Sequence, residues 1–215
     1  MRKIQKMCAA LLAGVMTVGT FAPSVFADEA PAELTDEQVI NVRTTAFGNN
    51  YDVQDMGWRW MMAACYEGLY RDVADENGDE FILAGAESVD ISDDGTVYTY
   101  HLREDAKWSD GVPVTAHDYE YGWKRLLNPD YAYDYASFIY NVVGAEEYNS
   151  GEGSADDVMA VAVDDYTFEV TLKVADPTFE SKLVATPLYP TREDLAEAAG
   201  DNWGKDWTLC VYNGP

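Results

Sequence analysis

Two stretches of strict alternation, each broken by an acidic turn and separated by one amphipathic helix pattern, limit this chain to folds in which antiparallel strands bracket a helix. From Val89 to Trp108 the residues alternate around Asp93-Asp94-Gly95, with Tyr98, Tyr100 and Leu102 pointing the same way, which predicts a β-hairpin. Val161-Ala162-Val163, then Asp164-Asp165, then Phe168, Val170 and Leu172 on one face predict a second. The turn chemistry repeats and the sequence does not. Between them, Thr115-Ala116-His117-Asp118 has the form of a capped helix start, and Tyr119, Trp123 and Leu126 carry an apolar face as far as Asn128-Pro129. Glu120 and Lys124 are spaced to pair across one turn.

Other helix patterns flank this unit. Trp58, Met61, Met62, Cys65 and Leu69 form one stripe between Gln54 and Leu69, of the kind that fills cores. Pro177 to Ala185 and Thr191 to Ala199 read as two more helices, the second with Thr191 as cap and Gly200 as terminator. A first β-like run covers Val39 to Arg43. Strands and helices mix without a regular βαβ alternation, so the fold class is α+β or a complex mixed α/β lobe.

The first residues follow a different logic. Arg2, Lys3 and Lys6 precede an apolar stretch from Met7 to about Phe21, which ends at Val25-Phe26-Ala27. This predicts a cleaved secretory signal peptide over 1–27, because the apolar run is shorter than the roughly 20 residues that span a bilayer. Cys8 stands at the start of that run rather than after it, which argues against a lipid anchor. Residues 28–38 read as a mobile lead-in segment. Cleavage would remove three positive charges and take the formal charge from −25 to −28. Such a field repels nucleic acid and anionic lipid and suits cationic ligands, although a solvated extracellular surface is the simpler reading.

Reactive chemistry finds little support. Of the cysteines only Cys65 and Cys210 lie beyond residue 27, far apart and without CxxC spacing, which predicts neither a disulfide framework nor a zinc site. His101 and His117 fit no metal-ligand spacing, and His101 is expected on the outer face of its strand. Asp90, Ser92, Asp94 and Gly95 imitate the opening of a calcium loop, but its twelfth position is His101 where a carboxylate is required. No GxSxG, Walker or GxGxxG pattern occurs, and no spacing singles out a catalytic carboxylate pair. The expectation is a non-enzyme with no metal and no cofactor. Nine of the 15 tyrosines lie from Tyr98 to Tyr148, crowded around Asn128-Pro129-Asp130-Tyr131-Ala132-Tyr133-Asp134-Tyr135. Such a loop either lines a ligand cleft or closes a small core.

Several blocks carry a family resemblance: Cys65-Tyr66-Glu67-Gly68-Leu69-Tyr70, Leu83-Ala84 with Ala86-Glu87-Ser88, and Tyr98-Thr99-Tyr100-His101-Leu102-Arg103. The fullest is Lys107-Trp108-Ser109-Asp110-Gly111-Val112-Pro113-Val114-Thr115-Ala116-His117-Asp118-Tyr119 through Trp123-Lys124-Arg125. Asp164 to Val170 and the closing Asn213-Gly214-Pro215 complete the set. Over residues 39–215 the chain resembles the oligopeptide-binding proteins of the extracellular solute-binding protein family that also includes dipeptide and nickel binders. The resemblance implies a periplasmic-binding-protein type II fold in which two lobes close around an extended peptide. In that scheme 39–66 and about 193–215 are segments of the first lobe, about 67–192 an inserted subdomain, and the second lobe lies beyond Pro215. It further implies a monomeric, exported, periplasmic or extracellular subunit that delivers peptide to the membrane permease of an ABC importer.

Residue by residue, the family's cleft tyrosine falls on Tyr135, and its contacts before the first helix fall on Gln54, Asp55 and Met56. The latter stretch departs from the family by carrying Asn49-Asn50-Tyr51-Asp52. Relatives with the same blocks take dipeptides, nickel complexes, haem or oligosaccharides, and these stay open as ligands. A secreted acidic hydrolase is the alternative of a different class.

Overall fold

The structure, a computed structural model, describes residues 50–55, 64–75 and 78–214. The expected signal peptide, the lead-in segment, the run at 39–43, and Met56, Trp58, Met61 and Met62 lie outside the described residues.

Among the described residues there are six strands: β1 (Tyr70–Asp75), β2 (Gly78–Leu83), β3 (Ala86–Ile91), β4 (Val97–Leu102), β5 (Ala160–Asp164) and β6 (Thr167–Thr171). β1 and β2 make a separate antiparallel pair with Tyr70 opposite Leu83. The other four form one antiparallel sheet in the order β3-β4-β6-β5. Both expected hairpins are therefore present, and they join through β4 and β6, with Tyr98 opposite Val170 and Tyr100 opposite Phe168. The period of two places Tyr98, Tyr100, Leu102, Phe168 and Val170 on one buried face. His101 emerges on the other face, 3.0 Å from Asp90.

The near-match to a calcium loop proves to be turn chemistry. Asp94 Oδ1 accepts from the Ser92 hydroxyl at 2.6 Å and from the Thr96 hydroxyl at 2.8 Å, which closes the β3–β4 turn and lowers the pKa of Asp94.

Helix α1 (Ala116–Leu127) lies on the buried face of the sheet. Trp123 is its central residue, fully buried, with its ring 5.1 Å from Phe168 at 87° and its indole N–H donating to the Leu188 carbonyl at 2.9 Å. The helix starts where the sequence expects. Asp118 Oδ2 accepts from the Thr115 N–H at 2.8 Å and from Trp108 Nε1 at 3.2 Å, so one carboxylate ties the helix start to the turn before it. Gly122 lets the segment at 189–191 approach closely, because a Cβ there would lie 3.0 Å from the Tyr189 carbonyl oxygen. Glu120 also protects the edge of the sheet: its Oε2 accepts the Ala162 N–H at 2.8 Å, while Oε1 takes Lys124 at 2.5 Å.

Helices α2 (Ala145–Asn149), α3 (Phe179–Lys182) and α4 (Glu193–Ala199) are short, and three of the sequence readings change at this level. The stripe running to Leu69 is not helical past Cys65. There the Glu67 N–H donates to Asn213 Oδ1 and the Glu67 carbonyl accepts from Asn213 Nδ2 at 2.9 Å, which takes both main-chain groups out of any helix. The pattern at 177–185 yields helix only at Phe179–Lys182, followed by a separate 3₁₀ turn over Thr186–Leu188 that contains Pro187. The third change is at Thr191, which does not cap α4. Its N–H donates to the Asp118 carbonyl at 3.0 Å, and the helix begins one residue later, from Arg192.

Candidate functional site

The tyrosine-rich loop leaves α1 at Asn128 and returns to the core at a 3₁₀ turn, Ala136–Ile139, with Tyr135 immediately before it. Together with the turn at 52–55, this loop encloses a cavity of 370 Å³ lined by Gln54, Asp55, Tyr131, Tyr133, Asp134 and Tyr135, with Ala132 between the first two tyrosines. Three of the four expected ligand-binding residues are thus brought together from positions about eighty apart in the sequence, while Met56 lies outside the described residues.

The three play different parts. Tyr135 is half-buried, packs edge-on against Phe138 with ring centroids 5.2 Å apart, and has no hydrogen bond to its hydroxyl among the described residues. It presents a flat apolar face and an available hydroxyl to the cavity. Asp55 is exposed, with a carboxylate that accepts from Asn50 Nδ2 at 2.5 Å, and with Asp134 it gives the rim a negative character. Gln54 is fully buried and its carboxamide is engaged: Oε1 accepts from Arg125 at 2.7 Å and Nε2 donates to the Thr191 hydroxyl at 2.8 Å. Its contribution to the cavity is therefore the wall that its backbone and stem provide, rather than a free polar group.

Behind the cavity stands a charged cluster that the sequence did not reveal. Arg125 of α1 reaches Asp52 at 2.9 Å, and both are almost fully buried, at 8% and 4% exposure. Tyr133 donates its hydroxyl to Asp52 at 2.7 Å, and the Gln54 N–H donates to the same carboxylate at 3.1 Å. The Arg125 guanidinium also lies over the rings of Tyr131 and Tyr133, at 4.8 and 5.2 Å from their centroids. Burial opposes the charged guanidinium, but the charge and hydrogen bond of Asp52, together with Tyr133 and Tyr121, leave the Arg125 pKa raised. Burial, then the Asp52 charge, drives the Tyr133 hydroxyl far above its ordinary range, so it remains a donor. One signal did exist in the sequence: Arg125 stands beside Leu126 and Leu127 at the end of the apolar face of α1, where a charge needs a partner.

The recognisable Lys107–Asp118 block lines none of this cavity and is scaffold. Gly111, at φ +88°, turns the chain so that its N–H donates to the Trp108 carbonyl at 2.8 Å, and Asp110 accepts from Arg192 at 3.0 Å. Near the C-terminal end, the Gly214 N–H donates to the Cys65 carbonyl at 2.8 Å, latching the Asn213-Gly214 segment beside residues 65–67.

Other depressions lie among the described residues. One of 370 Å³ runs along α1, and one of 780 Å³ lies over the outer face of the sheet. The first is crossed by a Tyr121 to Glu197 bond at 2.9 Å and the second by a His101 to Asp90 contact at 3.0 Å, and neither is lined by the residues expected to bind ligand. Among the described residues no cluster of His, Cys, Asp and Glu could hold a metal ion, Cys65 and Cys210 are free thiols, and no helix is long and apolar enough to cross a membrane.

Comparison with known proteins gives consistent matches. The family model for bacterial extracellular solute-binding proteins, family 5, middle region, matches residues 80–215. The dipeptide-binding protein DppE of Bacillus subtilis is 36% identical over 188 residues, covering 86% of this chain and 34% of that protein. The periplasmic oligopeptide-binding protein OppA of Salmonella typhimurium is 33% identical over 212 residues, covering 95% of this chain and 38% of that protein. Among solved structures, Listeria monocytogenes OppA bound to peptide superposes with a TM-score of 0.77 at 34% identity, covering 84% of this chain and 36% of that one. The chain spans about a third of the length of these relatives.

Proposed function

This chain belongs to the bacterial extracellular solute-binding proteins, family 5, and from that premise we propose that it forms part of the solute-capturing subunit of an ABC importer whose solute is an oligopeptide. The observation that carries the reading is the cavity in which Tyr135, Gln54 and Asp55 converge. Similarity to relatives named for oligopeptide and dipeptide binding supports peptide as the ligand class. Within the reading Tyr135, Asp55 and the wall at Gln54 are the ligand-facing residues, and Met56 is a ligand-binding residue by resemblance to the family.

Physically, such a site suits an extended peptide. Main-chain groups supply affinity by strand-like pairing, and a tyrosine face packs against varied side chains without selecting one. Closure of a second lobe would then present both lobes to the permease, so that ligand binding biases the state the membrane partner recognises. The reading includes residues 1–27 as an export signal, an exported monomer, first-lobe segments at 39–66 and about 193–215, and an inserted subdomain at about 67–192. It includes no catalysis: Asp55 and Asp134, the acids at the cavity, belong to a rim that would repel anions and tolerate cationic peptides.

Calorimetric titration of the protein, expressed at the full length of its own gene, with a pool of di- to pentapeptides tests the proposal. Saturable heat with peptides supports it. No heat with peptides, alongside binding of a sugar, haem or a nickel chelate, overturns the peptide assignment. Turnover of a substrate that is abolished by removing one carboxylate would overturn the binding role itself.

A further inference from the structure

We propose that Arg125 is a positioning residue of the cleft, holding the Tyr131–Tyr135 loop against residues 52–55 and so fixing where Tyr135 stands. This rests on the reading of Tyr135 as the cleft tyrosine, but the geometry that carries it does not involve a ligand.

Three observations converge on Arg125. Its helix is anchored in the core by Trp123, Leu126 and Leu127, all fully buried, so the guanidinium projects from a rigid support. It bonds Asp52 and Gln54 on one cavity wall and lies over the rings of Tyr131 and Tyr133 of the other, thereby joining two segments that the Tyr133 hydroxyl on Asp52 also links. The loop it holds is also strained. Ala132, between the two tyrosines, is the sole non-glycine residue with a positive φ among the described residues, at +50°. An L-residue resists that conformation, and it persists where the surroundings over-determine it. Here the surroundings are the two rings on one guanidinium and the Tyr133 hydroxyl on Asp52. From Tyr133 the constraint passes directly to the cleft, since its carbonyl accepts the Ala136 N–H at 3.4 Å and encloses Tyr135 in that turn.

A double-mutant cycle separates positioning from a general loss of structure. In the full-length protein, Arg125→Lys keeps a charge for Asp52 but loses the planar fork and the ring contacts, and Tyr133→Phe removes the tether while leaving the ion pair. Each is expected to weaken binding of the peptide pool about tenfold. In a Tyr135→Ala background the same substitutions should cost less than twofold, because their effect passes through Tyr135. A loss that persists undiminished in that background overturns the proposal, as does wild-type affinity in Tyr133→Phe. Amide hydrogen exchange on the ligand-free protein gives an independent readout should Arg125→Lys fail to fold. Tyr133→Phe should speed exchange over 131–136 at least tenfold while leaving β4 unchanged, and unaltered exchange in the loop overturns positioning. Should wild-type protein bind no peptide, the functional reading fails on its own and the exchange result alone decides the role of Arg125.

Discussion

Replacing Arg125 with methionine removes the cation that stands 2.9 Å from a carboxylate only 4% exposed to solvent. Two effects compete. Methionine fills much of the volume of the arginine stem, so little cavity is left, but Asp52 becomes a buried charge without its counterion. Breaking a buried ion pair from one side costs about 3–5 kcal/mol. Asp52 keeps two donors, the Tyr133 hydroxyl at 2.7 Å and the Gln54 N–H at 3.1 Å, which places the expected loss near the lower end, about 3 kcal/mol. For a unit of this size that corresponds to a fall in Tm of about 6–12 °C. The companion variant Asp52→Asn/Arg125→Met should recover most of the loss, to within about 1 kcal/mol of wild type, because a neutral amide needs no counterion: its oxygen can accept the Gln54 N–H and its Nδ2 can donate to the Tyr133 hydroxyl oxygen, whose proton is free to rotate. Urea unfolding followed by tryptophan fluorescence measures both. A single variant within about 1 kcal/mol of wild type, or a double variant no more stable than the single, would refute the account of Asp52 as a buried, ionised partner.

Two further substitutions test other parts of the fold. Hydrogen bonds from Lys182 and then Thr178 hold Asp176 at a pKa of about 2, below its ordinary 3.8. Its contribution is therefore fully present above about pH 4 and lost as pH falls through about 2, so Asp176→Asn should be less stable than wild type at pH 5 and indistinguishable from it below pH 2 in pH-dependent unfolding. A gap that stays constant across this range would contradict the assignment. Glu120→Ala leaves the Ala162 N–H without its acceptor and Lys124 without its partner, and is expected to destabilise the chain by about 1–3 kcal/mol and to speed exchange of the Ala162 amide in particular.

What was legible in the sequence follows the range of the interactions involved. The hairpins at Tyr98–Leu102 and Phe168–Leu172 and the helix capped at Thr115 depend on neighbours a few residues away, and both periodicity and turn chemistry report these. The joining of β4 to β6 depends on pairs such as Tyr100 and Phe168, sixty-eight positions apart, for which alternation carries no address. Thr191 shows the same limit from the other side. Its sequence context suits a cap, but Gln54, 137 residues away, takes its hydroxyl instead. The overrun of the helix pattern to Leu69 has a similar cause, since Asn213, 146 residues on, claims the Glu67 main chain. At the candidate site, composition marked the tyrosine-rich loop that ends at Tyr135 as either cleft lining or core closure, family resemblance singled out Tyr135 within it, and the stretch from Gln54 came from resemblance alone. The Asp52–Arg125 pair that supports them has no local pattern, because a buried ion pair is specified only by where two distant charges meet.

Peptide capture at the tyrosine cavity is tested most directly by titrating the same peptide pool into wild-type and Tyr135→Ala protein at the full length of the gene, with unfolding midpoints measured in parallel. Removing a contacting aromatic ring from the cleft should weaken binding about ten- to a hundredfold, as interface tyrosines commonly do, with little change in stability because Tyr135 is only half-buried. Equal affinity in the two proteins, or no peptide binding by wild type, would contradict it.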